Sequence, residues 1–204
     1  MRGENKKQSS TPTKHTSLDD TLAGERAEVV RAVSQAVRQH VADLQTRGVA
    51  FYGYALACSE AYGIVTDDEL AWVYPAHNGE ADLAPHTGEE NADFYRYCVD
   101  EWGHRGDPSF EDVGAAIRTL NRAFRERQPA RGDDDDLDHA ERVYRAVLAG
   151  LEKVSAEGIF GAPPPFLLLW IPSDIDPMVF ESVRRLNSRE IADAFDAVLG
   201  EEQD

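Results

Sequence analysis

The stretch Val49-Ala-Phe-Tyr-Gly-Tyr-Ala-Leu-Ala-Cys58 contains no charged side chain and is apolar on both of its alternations. Successive side chains of a strand point to opposite faces. A strand wetted on one side therefore alternates apolar with polar, and a run that is apolar on both sides is covered on both. Such a strand needs neighbours in a sheet and further layers above and below it, and this reading sets the fold class.

Working outward from it, Val29, Val30, Val33, Val37, Val41 and Leu44 recur at three- and four-residue steps upstream, which predicts a helix over 22–47 that stops at Gly48. Downstream, Leu70-Ala-Trp-Val-Tyr74 reads as a second strand. The stretch 93–99 reads as a third, with Phe94, Arg96 and Cys98 alternating against Tyr95, Tyr97 and Val99. The second half is more helical. Ser109 followed by Asp112 resembles a capping box, and Phe110, Val113, Ile117, Leu120 and Phe124 then keep helical spacing. Residues 128–136, with Pro129, Gly132 and four consecutive Asp, read as an exposed loop. A helix carrying Tyr144, Val147, Leu151 and Val154 follows, ending at Gly158. Pro163-Pro-Pro leads into Phe166-Leu-Leu-Leu-Trp-Ile171, a buried strand. Pro177, after a capping Asp176, opens a final helical stretch that breaks at Asn187-Ser188 and continues with Ile191, Phe195 and Val198 inward.

The expected fold is α+β (mixed α/β): a single layered domain with a central sheet of about four or more strands and flanking helices. Residues 1–18 are expected to be a disordered basic tail, 19–200 the globular domain, and 201–204 an acidic C-terminal tail.

The chain of 204 residues has 38 acidic against 21 basic side chains, a formal charge of −17. Between residues 60 and 112 fourteen acids stand against Arg96 and Arg105 alone, so twelve of the seventeen excess charges sit in this one segment. Residues 1–18 are by contrast +3. Nucleic-acid binders draw affinity from Lys and Arg replacing counterions along phosphates, and anionic membranes attract basic surfaces, so neither partner is expected. An acidic field instead steers a basic protein. No run reaches the roughly 18 apolar residues of a membrane span, and residues 1–17 lack the apolar core of a secretory signal, so a cytoplasmic protein is expected. Cys58 and Cys98 read as free buried thiols, with a bridge between neighbouring strands as the alternative.

Candidate chemistry is sparse. His77, His86 and His104 share the acidic segment with Asp82, Glu101 and Asp107, but without a zinc-type spacing, and solvated loop histidines are the plainer reading. The run of four Asp lacks the alternating frame of a calcium loop. Neither Cys58-Ser59 nor the Gly158-Ile-Phe-Gly161 turn carries a nucleophile elbow or a phosphate cradle. No catalytic residue, cofactor or metal is therefore assigned. Two clusters stand out. Tyr95, Tyr97 and Trp102 are mixed with Asp82, Glu89, Glu90, Asp100, Glu101 and His104, as an interface for a basic protein would have rings for anchorage and acids for rate and register. Arg184, Arg185 and Asn187, after Trp170 and Asp174, would line a pocket together with His77, or Arg184 and Arg185 would pair across the surface with the acidic segment.

Phe51-Tyr-Gly-Tyr-Ala-Leu56, Tyr95-Arg-Tyr-Cys-Val-Asp-Glu-Trp102, Ala156-Glu-Gly-Ile-Phe-Gly161, Phe166-Leu-Leu-Leu-Trp-Ile171 and Ser182-Val-Arg-Arg-Leu-Asn-Ser188 together resemble the bacterial domain-of-unknown-function family numbered 4303, over about residues 22–199. That family has no established activity and no agreed catalytic residues to carry over. Small bacterial families of this kind lie near toxin and immunity genes, and the resemblance so adds weight to an interaction protein.

Two functions are carried forward. The first is a non-enzymatic acidic protein-binding domain, in its particular form an immunity-type protein that neutralises a basic toxin. The second is an enzyme or small-ligand-binding domain with its pocket near His77, Trp102, His104, Trp170 and Arg184.

Overall fold

Strand β1, Gly53–Cys58, is buried at all six positions and lies inside the sheet, as its uncharged sequence requires. The computed structural model describes residues 21–66, 71–172 and 176–200. Helix α1 (Ala23–Thr46) precedes β1, and α2 (Ala61–Thr66) follows it. Strand β2 (Val73–Asn78) then returns antiparallel to β1, with Gly53 opposite Asn78 and Cys58 opposite Val73. The short helices α3 (Glu80–Leu83) and α4 (Ala92–Tyr97) lead to β3, which is only His104–Arg105 and pairs antiparallel with β2. Helices α5 (Glu111–Arg127) and α6 (Asp133–Ala156) come next, then β4 (Phe166–Trp170), α7 (Pro177–Leu186) and α8 (Arg189–Leu199). β4 runs parallel to β1, giving a four-stranded mixed sheet in the order β3-β2-β1-β4, an α+β fold.

The two faces of the sheet are covered by different helices. Tyr54 of β1 and its partner His77 share one face, where His40 of α1 meets both rings. α6 packs beside α1, and the Ser34 hydroxyl donates to the Gly150 carbonyl between them (3.2 Å). The opposite face carries Gly53 and its partner Phe166. There Tyr97 of α4, Phe166 and Phe195 of α8 meet edge-on or tilted at 5.2–5.8 Å, and Phe180 of α7 closes the cluster. Edge-to-face aromatic pairs of this kind contribute roughly 0.5–1.5 kcal/mol beyond their burial.

Four local expectations are corrected. The second strand lies at Val73–Asn78 and not at 70–74, and it passes through Pro75. Ser59 N–H donates to the Trp72 carbonyl, so the alternate pair Leu56–Pro75 is one without hydrogen bonds to β1, and proline's missing N–H is turned away from that strand. The expected strand at 93–99 is helix α4 followed by a 3₁₀ turn, Val99–Glu101. Phe94 and Tyr97, three apart, both pack on the core, and over six residues this helical spacing is hard to tell from alternation. Ser109 does not cap α5: a 3₁₀ turn, Pro108–Phe110, precedes the helix and is itself capped by the Asp107 carboxylate, which accepts from the Ser109 N–H at 2.8 Å, while Phe110 stands at the α5 N-cap position without a side-chain bond. The four Asp at 133–136 form the first turn of α6, where carboxylates offset the positive end of the helix dipole, and Asp135 accepts from the Gly132 N–H at 2.9 Å. The break at 187–188 is as expected, with Asp176 capping α7 and Ser188 capping α8. The tails at 1–18 and 201–204 lie outside the described residues.

Candidate functional site

The acidic segment leaves the sheet at Gly79, whose N–H is held by the Asp82 carboxylate at 2.8 Å. From there two short helices and two 3₁₀ turns carry the chain round the β2 side of the sheet. Elements this short bury few side chains, and Glu80, Asp82, Glu89, Glu90, Asp93, Asp100 and Glu101 are all exposed. Arg96 holds Glu80 through both guanidinium nitrogens at 3.1 Å, and Arg105 stands 4.0 Å from Asp100. His86 meets Glu89, and His104 meets Asp82, each at 3.4 Å. Among the described residues Glu90, Asp93 and Glu101 have no basic group within ion-pair distance. Elsewhere several arginines are matched by acids, as in Arg38–Glu157, Arg145–Glu181 and Arg185–Glu152. Exposed pairs contribute little to stability, but an unmatched excess of one sign sets the potential that a partner meets.

The aromatic residues of this segment divide. Tyr95 is half-exposed, with His86 stacked on its ring at 3.6 Å. Tyr97 is half-buried and faces the ring cluster under β4. Trp102 is a core residue at 2% exposure, and a Cβ on Gly53 would lie 2.7 Å from its ring. The indole thus takes the space that a side chain at Gly53 would fill. A glycine within an otherwise apolar strand run, here at the first position of β1, is the sequence signal for such a close approach.

His77, His104 and His40 form a column entering the core from this face. The His77 and His104 rings stack at 4.8 Å with 9° between planes. His40 lies 5.7 Å beyond His77, and its Nδ1 is 3.1 Å from the Tyr54 hydroxyl. Burial pushes the His77 imidazole down to about 4, and His104 and His40 push the same way. Burial also lowers His40. Among the described residues no three His, Cys, Asp or Glu side chains converge to hold a metal ion.

Of the residues of the expected pocket, His77 and His104 meet, but Trp102, Trp170 and Arg184 do not join them. His77 and Trp102 lie on opposite faces of the sheet, since Tyr54 and Gly53 alternate. Trp170 is buried opposite Ala57 on β4, at the far end of the sheet from His77. Arg184 pairs with Asp196 at 2.8 Å, and Arg185 pairs with Glu152 and Glu181. Asn187 binds the backbone of Leu167. Asp174 lies outside the described residues.

A feature the residue pattern did not show is a cleft of about 600 Å³ at the amino ends of β1 and β4, lined by Phe51, Tyr52, Tyr97, Phe160, Pro163, Pro164, Pro165 and Ile191 among others. Phe51 and Tyr52 send their rings to opposite faces of the sheet, toward Tyr54 and His77 on one side and Trp102 on the other. The Tyr52 hydroxyl donates to the Arg96 carbonyl and accepts from Asn78 Nδ2, and the Arg96 guanidinium lies over its ring at 4.6 Å. Burial raises that hydroxyl to about 12, so it stays protonated. The charge-free sequence before β1 and the Pro163-Pro-Pro run were the available signals.

Fold and surface thus define an α+β domain with an exposed, acid-rich segment between Glu80 and Glu101 and a cleft to which that segment contributes Arg96 and Tyr97. The family described as Domain of unknown function (DUF4303) matches residues 32–188, and the chain belongs to that family. No curated protein and no solved structure matches it. No helix among the described residues is long and apolar enough to cross a membrane.

Proposed function

We propose that the chain is a non-enzymatic protein-binding domain that presents the acidic face within residues 80–112 to a basic protein, in the manner of an immunity protein that neutralises a toxin. The observation that carries this reading is the unmatched charge of Glu90, Asp93 and Glu101 on exposed short elements, in a segment with two arginines, while Arg38, Arg145 and Arg185 of the body are each paired with acids. Such a field raises the encounter rate with a cationic partner and fixes its register, and it weakens as salt screens it. Affinity capture on the full chain at low and at high salt tests this. The expected result is a basic protein retained at low salt, released at high salt, and no longer retained after Glu90→Lys/Glu101→Lys. No partner at either salt, or a partner indifferent to the charge reversal, overturns it.

A further inference from the structure

We infer that the cleft at the amino ends of β1 and β4 is the anchor point of the acidic face, and that it takes an apolar or aromatic side chain from an extended basic segment of the partner. This rests on the acidic-face reading and specifies the partner's chemistry. The cleft walls are mostly rings and apolar side chains: Phe51, Tyr52, Tyr97, Phe160, Pro164 and Ile191. At about 600 Å³ it lies in the range of clefts that bury a ligand group, roughly 300–1,000 Å³.

Its electrical surroundings select the occupant. Arg96 is the one charged residue in the lining, and its nitrogens are already engaged by Glu80 while its plane covers Tyr52. Glu80 and Asp82 stand close enough to Tyr52, and Asp93 close enough to Tyr97, to disfavour ionisation of those hydroxyls. Glu80, held by Arg96, and the unpaired Asp93, on the same helix as the lining residues Arg96 and Tyr97, therefore flank a mostly apolar cleft that holds one arginine. An anionic segment would meet that rim unfavourably, and a basic segment with an apolar anchor satisfies rim and floor together. The arrangement is that of an interface hot spot, in which a desolvated apolar group supplies affinity and flanking charges supply rate and register.

Two fluorescently labelled peptides, each a dozen or so residues of alternating Lys and Ser, separate the two readings. One carries a central Trp-Leu pair, and the other has Ser in those places. Binding is measured by anisotropy on the full chain, on Ala50→Gln and on Pro164→Gln. Each variant puts a longer polar side chain into the cleft from an exposed position, without changing its charge. The Trp-Leu peptide is expected to bind wild type about tenfold more tightly than the Ser peptide, a difference of about 1.4 kcal/mol, and both variants are expected to remove that advantage while the Ser peptide binds as before. Equal, salt-sensitive binding of both peptides overturns the cleft assignment and leaves the acidic face standing. Binding of the Trp-Leu peptide that ignores both salt and Glu90→Lys/Glu101→Lys overturns the basic occupant and with it the acidic face.

Discussion

The Asn187 side chain holds both backbone groups of Leu167: its Oδ1 accepts from the Leu167 N–H at 2.8 Å, and its Nδ2 donates to the Leu167 carbonyl at 2.6 Å. The backbone N–H and carbonyl of Leu167, whose side chain is buried, point away from β1 on β4, the edge strand parallel to it, and two residues on the Ser182 hydroxyl accepts from the Leu169 N–H at 2.9 Å. Two side chains from the α7 region thus complete an edge that would otherwise offer itself to another strand. Asn187→Ala leaves both Leu167 groups unsatisfied and is expected to cost roughly 2–4 kcal/mol. Asn187→Asp keeps the acceptor, sets a carboxylate against the Leu167 carbonyl, and should be no milder. Urea unfolding measures both, and light scattering should show more self-association for either variant.

Gly150 of α6 faces Val33 of α1 so closely that a Cβ on it would lie 2.6 Å from Val33 Cγ1, 2.7 Å from Val33 Cβ and 3.1 Å from the Val30 carbonyl. Alanine is the better helix former by about 1 kcal/mol, which alone would favour Gly150→Ala. The clash is with the root of a β-branched side chain and with backbone, neither of which can swing aside, so the helices must separate. Overpacking should outweigh propensity, for a net loss of roughly 1–2 kcal/mol. Val33→Ala removes the Cγ1 contact but keeps the Val33 Cβ and the Val30 carbonyl, so combined with Gly150→Ala it should recover only part of that loss, and a double-mutant cycle on unfolding midpoints reads the coupling.

Much of the fold was legible because burial on two faces leaves a mark: β1 and β4 are uncharged runs, and α1, α5 and α6 carry long helical stripes. What escaped was short or locally ambiguous. In α4, Phe94 and Tyr97 satisfy a period of three as readily as Tyr95 and Tyr97 satisfy a period of two. β3 is two exposed residues whose strand character rests on backbone pairing with Ala76 and His77 of β2, a long-range contact that two residues of sequence do not announce. The site was legible as charge and not as shape. Counting acids located the face, but Trp102, grouped there for its ring, is fixed in the core by the absence of a side chain at Gly53, a relation between residues 49 positions apart. The cleft joins the ends of β1 and β4, which are distant in sequence and meet only through the parallel pairing.

His139 is fully buried on α6, stacked on Phe124 at 3.9 Å, with Nε2 3.1 Å from the Asn121 Oδ1. Asn121 uses its Nδ2 on the Ile64 carbonyl, so its oxygen faces the ring, Nε2 carries the proton, and Nδ1 is a buried acceptor with no partner. Burial, reinforced by Arg142, Arg125, Arg131 and Arg26, pushes this imidazole down to about 3. In the unfolded chain a histidine takes its proton near pH 6.5, so between roughly pH 3 and 6.5 the unfolded state binds more protons and stability falls as pH falls. From pH 6.5 to 5 the loss due to His139 should be roughly 2 kcal/mol, at about 1.4 kcal/mol per pH unit and proton. The lowered His77 and His40 act in the same sense. His139→Gln keeps a donor toward Asn121 and should flatten the pH dependence by one proton's share. An unchanged slope in urea unfolding from pH 7 to 5 would show that the buried imidazole does not set it.

The exposed position of Glu90 and Glu101 separates binding from folding. Neither has a basic neighbour within ion-pair distance among the described residues, so Glu90→Lys/Glu101→Lys breaks no contact, and surface changes of this kind fall within about 0.5 kcal/mol each. Asp93 is better left in place, because it stands in the first turn of α4, where a carboxylate is favoured. Self-repulsion within the face should make wild-type stability rise with salt as the Debye length shrinks to about 10 Å at 0.1 M. The double variant removes part of that repulsion, so it should be as stable as wild type or slightly more so at low salt and gain less as salt is added. Unfolding midpoints across a salt series test this directly. Parallel slopes for the two proteins would mean that these acids lie too far apart to form one field. A shallower slope for the variant would establish the concentrated potential from which a cationic partner draws its encounter rate.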